Sequence, residues 1–283
     1  MSLPAYIRAA ATPHAEARDW AVRVIAAGGG VSSSTLKAVS RFCCAIDTAG
    51  IRSAMYRVNM FCGGNLSGCL VPLYRGPTFG GTNFGNATDT NKDFVPKDFI
   101  ETGTGGGLKA DGITKYLNTG MAPTVLPNLT DMHFSTSSPN LATSGNFVLM
   151  GTRDGNNSGH MTLDEYSPTY PGRFFRCGSF AAGEFPLVLS PGSSEPHFIG
   201  TRTSATSSII YRNGILAASN ATSITPTSHS FPFFIFATNT AGSPAGPSAA
   251  TLRMYSIGNG LTATQAAAFS AAVIQFNTAL GRA

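Results

Sequence analysis

The spacing of apolar and polar positions changes character along the chain. From about His14 to Ala27, Trp20, Val24 and Ala27 share one helical face, and from about Ser33 to Ala49, Leu36, Val39, Cys43 and Ile46 share another. The glycines 28–30 end the first run and Ser32 or Ser33 can cap the second, so the pattern predicts a short antiparallel helical hairpin. A third, shorter helical piece fits "IRSAMYRVNMF" (51–61). Residues 61–104 then lose the helical period and fill with turn formers.

From Leu108 onward short strand-like runs alternate with turns: "TKYLNTG", "NFVLMGTRDG", "GHMTLDEY", "FFRCGSFAAG", "FPLVLS", "HFIGTR", "SSIIYRNGILAAS", "FPFFIFATN" and "TLRMYSIG". That spacing predicts an antiparallel sandwich. Asn213-Gly214 supplies the two positive φ values of a tight two-residue hairpin. "FPFFIFATN" is apolar at nearly every position, as a central strand covered on both faces is, and the last helix of the chain is the element available to cover it. That helix starts at Thr262, an N-cap with Gln265 as its reciprocal partner and Leu261 placed to staple onto Ala266. Ala266, Phe269, Val273, Phe276 and Leu280 form its apolar stripe, and Gly281 stands where the chain leaves it. The stripe is expected to pack on this same chain. Three parts follow: a helical attachment segment (1–60), a turn-rich connector (61–104) and a sandwich with its packing helix (105–283).

Composition supports a β-rich chain. Only 12% of the 283 residues are charged, while 32 glycines and 17 prolines punctuate the sequence. There is no apolar run long enough to span a bilayer and no secretion-signal core at the start, so a soluble product of a cytoplasm is expected. Residues 1–60 hold seven cations against three anions, most of the net +5. Those charges are spread along helical faces without interleaved aromatics, which fits a solvated or partner-facing surface and not a nucleic-acid platform. The five cysteines include no C-x-x-C pair. In a cytoplasmic product buried thiols are expected, and a Cys62–Cys69 or Cys43/Cys44–Cys62 bridge requires oxidising conditions.

"SSIIYRNGILAAS", an apolar strand ending "IFATN", and "MYSIGNGLTATQAAAFSAAVIQFNTALGR" together resemble the closing third of laminin-G-like, concanavalin A-like jelly-roll modules. The version most similar occurs in structural proteins of tailed bacteriophages, tail fibres included. There a helical lead, matched by "AGIRSAMYRVNMFCGG", precedes a segment like "GLKADGITKYLNTGM" that opens the jelly roll. The resemblance implies a mainly β, antiparallel jelly-roll β-sandwich with an N-terminal helical hairpin. It also implies a virion protein of tail, fibre or capsid surface (a decoration protein), made in the host cytoplasm. Its partners would be other virion proteins docked through the N-terminal segment, copies of itself in a homo-oligomer, and a host-surface glycan.

Motifs for catalysis are missing. The chain has no E-x-D-x-x-E strand, no G-x-S-x-G elbow, no H-E-x-x-H and no phosphate-cradling loop. Asp164-Glu165 is an adjacent acidic pair whose members point to opposite faces of a strand, which suits a polar strand edge better than a catalytic dyad. Asp89, Asn91 and Asp93 alternate as in a calcium loop, but Phe94 and Ile100 occupy the places of its glycine and bidentate acid, so a polar turn is expected and no metal. The five histidines are isolated in sequence, with no sign that they converge. The loop "TRDGNNSGH" offers Asp154, Asn156, Asn157 and His160 as fixed hydrogen-bonding groups of the kind a sugar site uses, although Asp-Gly and Asn-Asn also serve a turn. The expected function is therefore a non-enzymatic phage structural protein without cofactor, with a lectin-like glycan-binding module as the alternative and a glycan hydrolase behind both.

Overall fold

In the computed structural model, residues 12–141, 147–155, 159–166, 174–178 and 195–282 are described, with backbone alone for Glu165, Tyr166, Glu195 and Pro196. Among them the chain runs through α1 (Ala15–Ala26), α2 (Ser33–Thr48), β1 (Met55–Asn59), α3 (Leu66–Cys69), β2 (Thr90–Lys92), β3 (Phe99–Ile100), β4 (Gly107–Lys109) and β5 (Tyr116–Asn118). It continues with β6 (Met132–Ser138), β7 (Phe147–Arg153), β8 (His160–Tyr166), β9 (Phe174–Gly178), β10 (Glu195–Ser204), β11 (Ser207–Arg212) and β12 (Ile215–Asn220). Then come β13 (Phe234–Ile235), β14 (Thr238–Thr240), β15 (Ser243–Ala245), β16 (Thr251–Leu252), β17 (Met254–Gly258) and α4 (Ala263–Ala279). The expected strand "FPLVLS" (185–190), residues 179–183 and the first eleven residues lie outside the described residues.

Two sheets face each other as the predicted sandwich. One runs β1-β17-β6-β10-β11-β12, antiparallel throughout; the other runs β15-β14-β7-β13-β5-β2, with β8 and β9 added beyond β7. A small sheet, β16-β4-β3, closes one side. Alternation along the strands of the first sheet divides their side chains between two cores. Phe134, Phe198, Ile210, Tyr255 and Ile257 meet Leu117, Met150, Leu163 and Ile235 between the sheets. Val58, Ile199, Tyr211 and Met254 point the other way, onto the helices.

The helices cover that second face as the apolar stripes require. His14 caps α1 through its ring and also bonds Asp47 near the end of α2, so the two helices lie antiparallel. Ser32 is the cap of α2, accepting from Thr35 N–H. The capping box of α4 is present, with Gln265 N–H on Thr262 Oγ1 and Thr262 N–H on Gln265 Oε1. All five stripe residues of α4 are buried, and Phe269 and Phe276 both meet Phe42 of α2, with ring centroids 6.3 and 6.2 Å away. Phe269, Val273, Phe276 and Leu280 each contribute about 1.5–3 kcal/mol gross on burial, so α4 is a structural wall and not a loose tail. Asn213 (φ 54°) and Gly214 (φ 79°) form the tip of the β11–β12 hairpin as expected. A Cβ on Gly214 would sit 2.7 Å from Cα of Ala267, so the tip abuts α4 and only glycine fits there.

Four expectations are corrected. Residues 55–59, expected in a third helical piece, form strand β1, every residue of it buried against β17 and the two cores. "FPFFIFATN" is not one strand: Phe236 at φ 70° breaks it into β13 and β14, and it lies in the second sheet, whereas α4 covers the first. Asp89 is not part of a solvated polar turn. It is fully buried, bonded to Arg57 (2.7 Å), Tyr255 Oη (2.7 Å) and Asn59 Nδ2 (2.9 Å), and so fastens the turn-rich segment to β1 and β17. Asp164 is likewise no strand edge but a buried partner of Arg176 at 2.9 Å, while the side chain of Glu165 lies outside the described residues.

All five cysteines are free thiols, and four of them are buried. Burial pushes Cys43 up to about 12 and Cys177 up to about 11, which makes them inert packing groups.

Candidate functional site

Strand β8 shows how the sequence builds a polar surface on an apolar sheet. Met161 and Leu163 enter the core between the sheets, so His160, Thr162 and Asp164 must share the opposite face. Pairing with β9 places Arg176 opposite Thr162, and pairing with β7 brings Arg153 to the same end. A pocket of about 80 Å³ opens there, lined by Val148, Arg153, His160, Arg176, Thr238, Ala245 and Gly246. Arg153 is held by its Nε–H on Thr240 Oγ1 (2.9 Å), and Arg176 by Asp164 (2.9 Å).

Of the four residues expected to bind ligand, the structure places two. His160 lines the pocket, buried, with Nε2 3.4 Å from Thr162 Oγ1. Asp154 does not line it; it follows Arg153 at the end of β7, where its Oδ1 accepts from Gly159 N–H at 3.3 Å. Asn156 and Asn157 lie outside the described residues. Burial, then the Arg176 and Arg153 charges, hold the His160 ring down at about 3 against the opposing pull of Asp154, so it is neutral at pH 7. A neutral imidazole between two fixed guanidiniums is a donor-rich pocket suited to oxygen-rich groups: hydroxyls, ethers or a carboxylate. The two arginines were not legible as site residues, because only the β7–β8–β9 pairing makes them neighbours. The link from His229 to the β7–β8 turn was not legible for the same reason: its Nε2 reaches the carbonyl of Gly159 at 2.9 Å from 70 residues away.

Two other clusters are engaged internally. Under α4 two histidines that nothing in the sequence links do converge: His133, Ser256, Ser135, His197 and Ser270 form one buried hydrogen-bonded chain with links of 2.9, 2.6, 3.1 and 2.9 Å. Burial holds His133 down to about 4 and His197 to about 3, and Phe269 presents its ring to both. Both rings are fully buried, so this chain fixes α4 to the sheet and offers no reactant a way in. His14, Glu16 and Cys43 bring ligand-type atoms within 4.8 Å of one another. Both nitrogens of His14 are already bonded, to Glu16 N–H and to Asp47, and the Glu16 carboxylate pairs with Arg52 at 2.7 Å. With the Cys43 thiol held protonated as well, the trio is a junction of α1, α2 and the 52–54 turn.

No protein-family model matches the sequence, and no curated protein matches it. Among solved structures the chain is similar to domain 4 of AbnA, an extracellular GH43 arabinanase of Geobacillus stearothermophilus, solved in complex with arabinotriose. The TM-score is 0.51 at 13% identity, over 77% of this chain and 98% of that one. A mutant Trypanosoma rangeli sialidase displaying trans-sialidase activity aligns with TM-score 0.47 and 14% identity over 84% of this chain and 39% of that one. The CBM40 of the Ruminococcus gnavus IT-sialidase, bound to α2,3 sialyllactose, aligns with TM-score 0.40 and 15% identity over 56% and 92%. The first likeness is one of fold, an antiparallel β-sandwich, and the two weaker ones carry no argument.

Proposed function

We propose that the chain is a non-enzymatic carbohydrate-binding module whose ligand enters the pocket between Arg153, His160 and Arg176. The convergence of these three side chains on one cavity carries the reading. The solved domain of the same fold bound to arabinotriose supports it as precedent. At about 80 Å³ the pocket takes one substituent of a sugar and not a whole ring, so it anchors a glycan at a single point. Among the described residues no carboxylate lines the pocket, whereas glycoside hydrolysis works with two carboxyl groups about 5–9.5 Å apart. A glycan array probed with the full chain, followed by calorimetric titration of each hit, tests the reading. Retention of a glycan that Arg153→Gln weakens at least tenfold supports it; an empty array, or an Arg153→Gln variant that binds unchanged, overturns it.

For its biological setting we propose a virion structural protein that presents this module for host attachment and docks on neighbouring virion proteins, or on copies of itself, through α1. The sequence resemblance supports this, as do Val22 and Ile25, which stand 67% and 62% exposed on the outer face of α1. Mass spectrometry of purified particles checks the setting. Val22→Glu/Ile25→Glu should lose particle incorporation without losing thermal stability, and unchanged incorporation removes α1 as the docking face.

A further inference from the structure

A second cleft, of about 210 Å³, lies between α1 and the 73–83 segment and shares no lining residue with the β7–β9 pocket. Three guanidiniums line it, those of Arg23, Arg52 and Arg75, against two carboxylates, Glu16 and Asp19. Two of the arginines are committed. Arg52 stacks over Tyr74 at 3.9 Å, chelates Glu16 and donates to the carbonyls of Met55 and Gly76. Arg23 bonds Asp19 and the carbonyls of Pro72 and Leu73. Arg75 differs: half-buried in the cleft wall, its side chain has no hydrogen bond or ion pair among the described residues. Its charge also bears on its neighbour, since burial and the Arg75 and Arg57 charges hold Arg23 below the ordinary arginine range against the pull of Asp19. An anion on Arg75 relieves that pressure.

The rest of the lining narrows the class of anion. Arg75 C=O accepts from Phe84 N–H at 2.7 Å and closes a loop whose tip carries Phe79, 56% exposed, between Thr78 and Gly80-Gly81. An exposed aromatic ring on a glycine-flanked tip offers an apolar face of the kind that stacks on the C–H face of a sugar. Thr78, Asn83 and the oxygens of Glu16 and Asp19 offer acceptors and donors for hydroxyls. Two carboxylates close by disfavour a dianionic phosphate but tolerate a single carboxylate seated on Arg75.

We propose that this cleft is a second ligand site, for a sugar acid: a pyranose bearing one carboxylate, held by Arg75 at the acid and by Phe79 at the ring face. The site stands independently of the β7–β9 pocket. Its test is a protein-observed NMR titration of the full chain with D-galacturonate and D-glucuronate, with D-galactose, D-glucose and inorganic phosphate as comparators. At least one acid is expected to bind with millimolar Kd, at least tenfold tighter than its neutral sugar and tighter than phosphate, and more weakly as salt is raised. Arg75→Gln should weaken binding tenfold or more, with Arg75→Lys between it and the parent. Phe79→Ala, at an exposed tip where folding is not at stake, should weaken it several-fold. Arg153→Gln should leave it unchanged, which separates this site from the first. Failure of both acids to bind, equal binding of the neutral sugars, phosphate binding as tightly as the acids, or indifference to both Arg75→Gln and Phe79→Ala overturns the proposal. So does abolition of binding by Arg153→Gln.

Discussion

Both the face under α4 and the β7–β9 end of the second sheet bury histidines in the neutral form, but they surround them differently. Under α4, His133 and His197 are bracketed by serine hydroxyls and a backbone carbonyl, with Phe269 sealing the chain from solvent. At the β7–β9 end, His160 sits between two guanidiniums and lines a cavity. The buried histidines under α4 fix the helix, whereas the one that shares a cavity with fixed charges belongs to the glycan site proposed above. The first region should therefore answer to changes that act on stability, and the second to changes that act on ligand.

The largest effect expected is at Phe269. Phe269→Ala opens the space between α2, α4 and both histidines and should cost about 3–5 kcal/mol in urea unfolding while leaving glycan retention intact in the surviving folded fraction. A comparable loss of glycan affinity in that fraction would erase the distinction between the regions. Acid should come next. The unfolded chain protonates these rings below about 6.5, whereas the folded chain refuses the proton down to about 4 at His133 and about 3 at His197, so the unfolded state binds more protons and stability falls with pH. Between pH 7 and pH 5 each ring should account for a loss of about 2 kcal/mol. Unfolding midpoints measured at both pH values, in the parent and in His197→Gln, check this; an unchanged slope in the variant breaks the assignment. Arg153→Gln should lose about 1.4 kcal/mol of glycan binding, a tenfold change, with stability nearly unchanged, as read by titration and thermal melting. Gln275→Ala, on the exposed side of α4, should move stability by less than about 0.5 kcal/mol and binding not at all.

What the sequence disclosed was local, and what it withheld depended on partners far along the chain. The capping box of α4 and the Asn213-Gly214 tip are complete within two to four residues, so they were readable from spacing. β1 was not: "MYRVN" is buried at all five positions, which erases the alternation that marks a strand, and its Arg57 is tolerated inside only because Asp89 and Tyr255 meet it. The break at Phe236 was invisible because a positive φ at phenylalanine has no compositional sign. For the site, the turn carrying Asp154 and His160 was legible from its own residues, whereas the arginines that give the pocket its chemistry were not. Arg75 too stood in a glycine-rich stretch that reads as punctuation.

The pairing of β1 with β17 also bears on the order in which the molecule can assemble. β1 is the end strand of its sheet: among the described residues β17 is its ladder partner, a single bridge joins Val58 to Tyr74 on the other side, and the Arg57–Tyr255 bond spans 198 residues of sequence. During synthesis the edge of β1 that β17 covers therefore waits, unmatched, until residue 258 has left the ribosome, and α2 waits longer for α4. Closure between such distant segments is slow relative to the formation of the hairpin at Asn213-Gly214, so the early strand is the place where a nascent chain is most exposed to pairing with a neighbour.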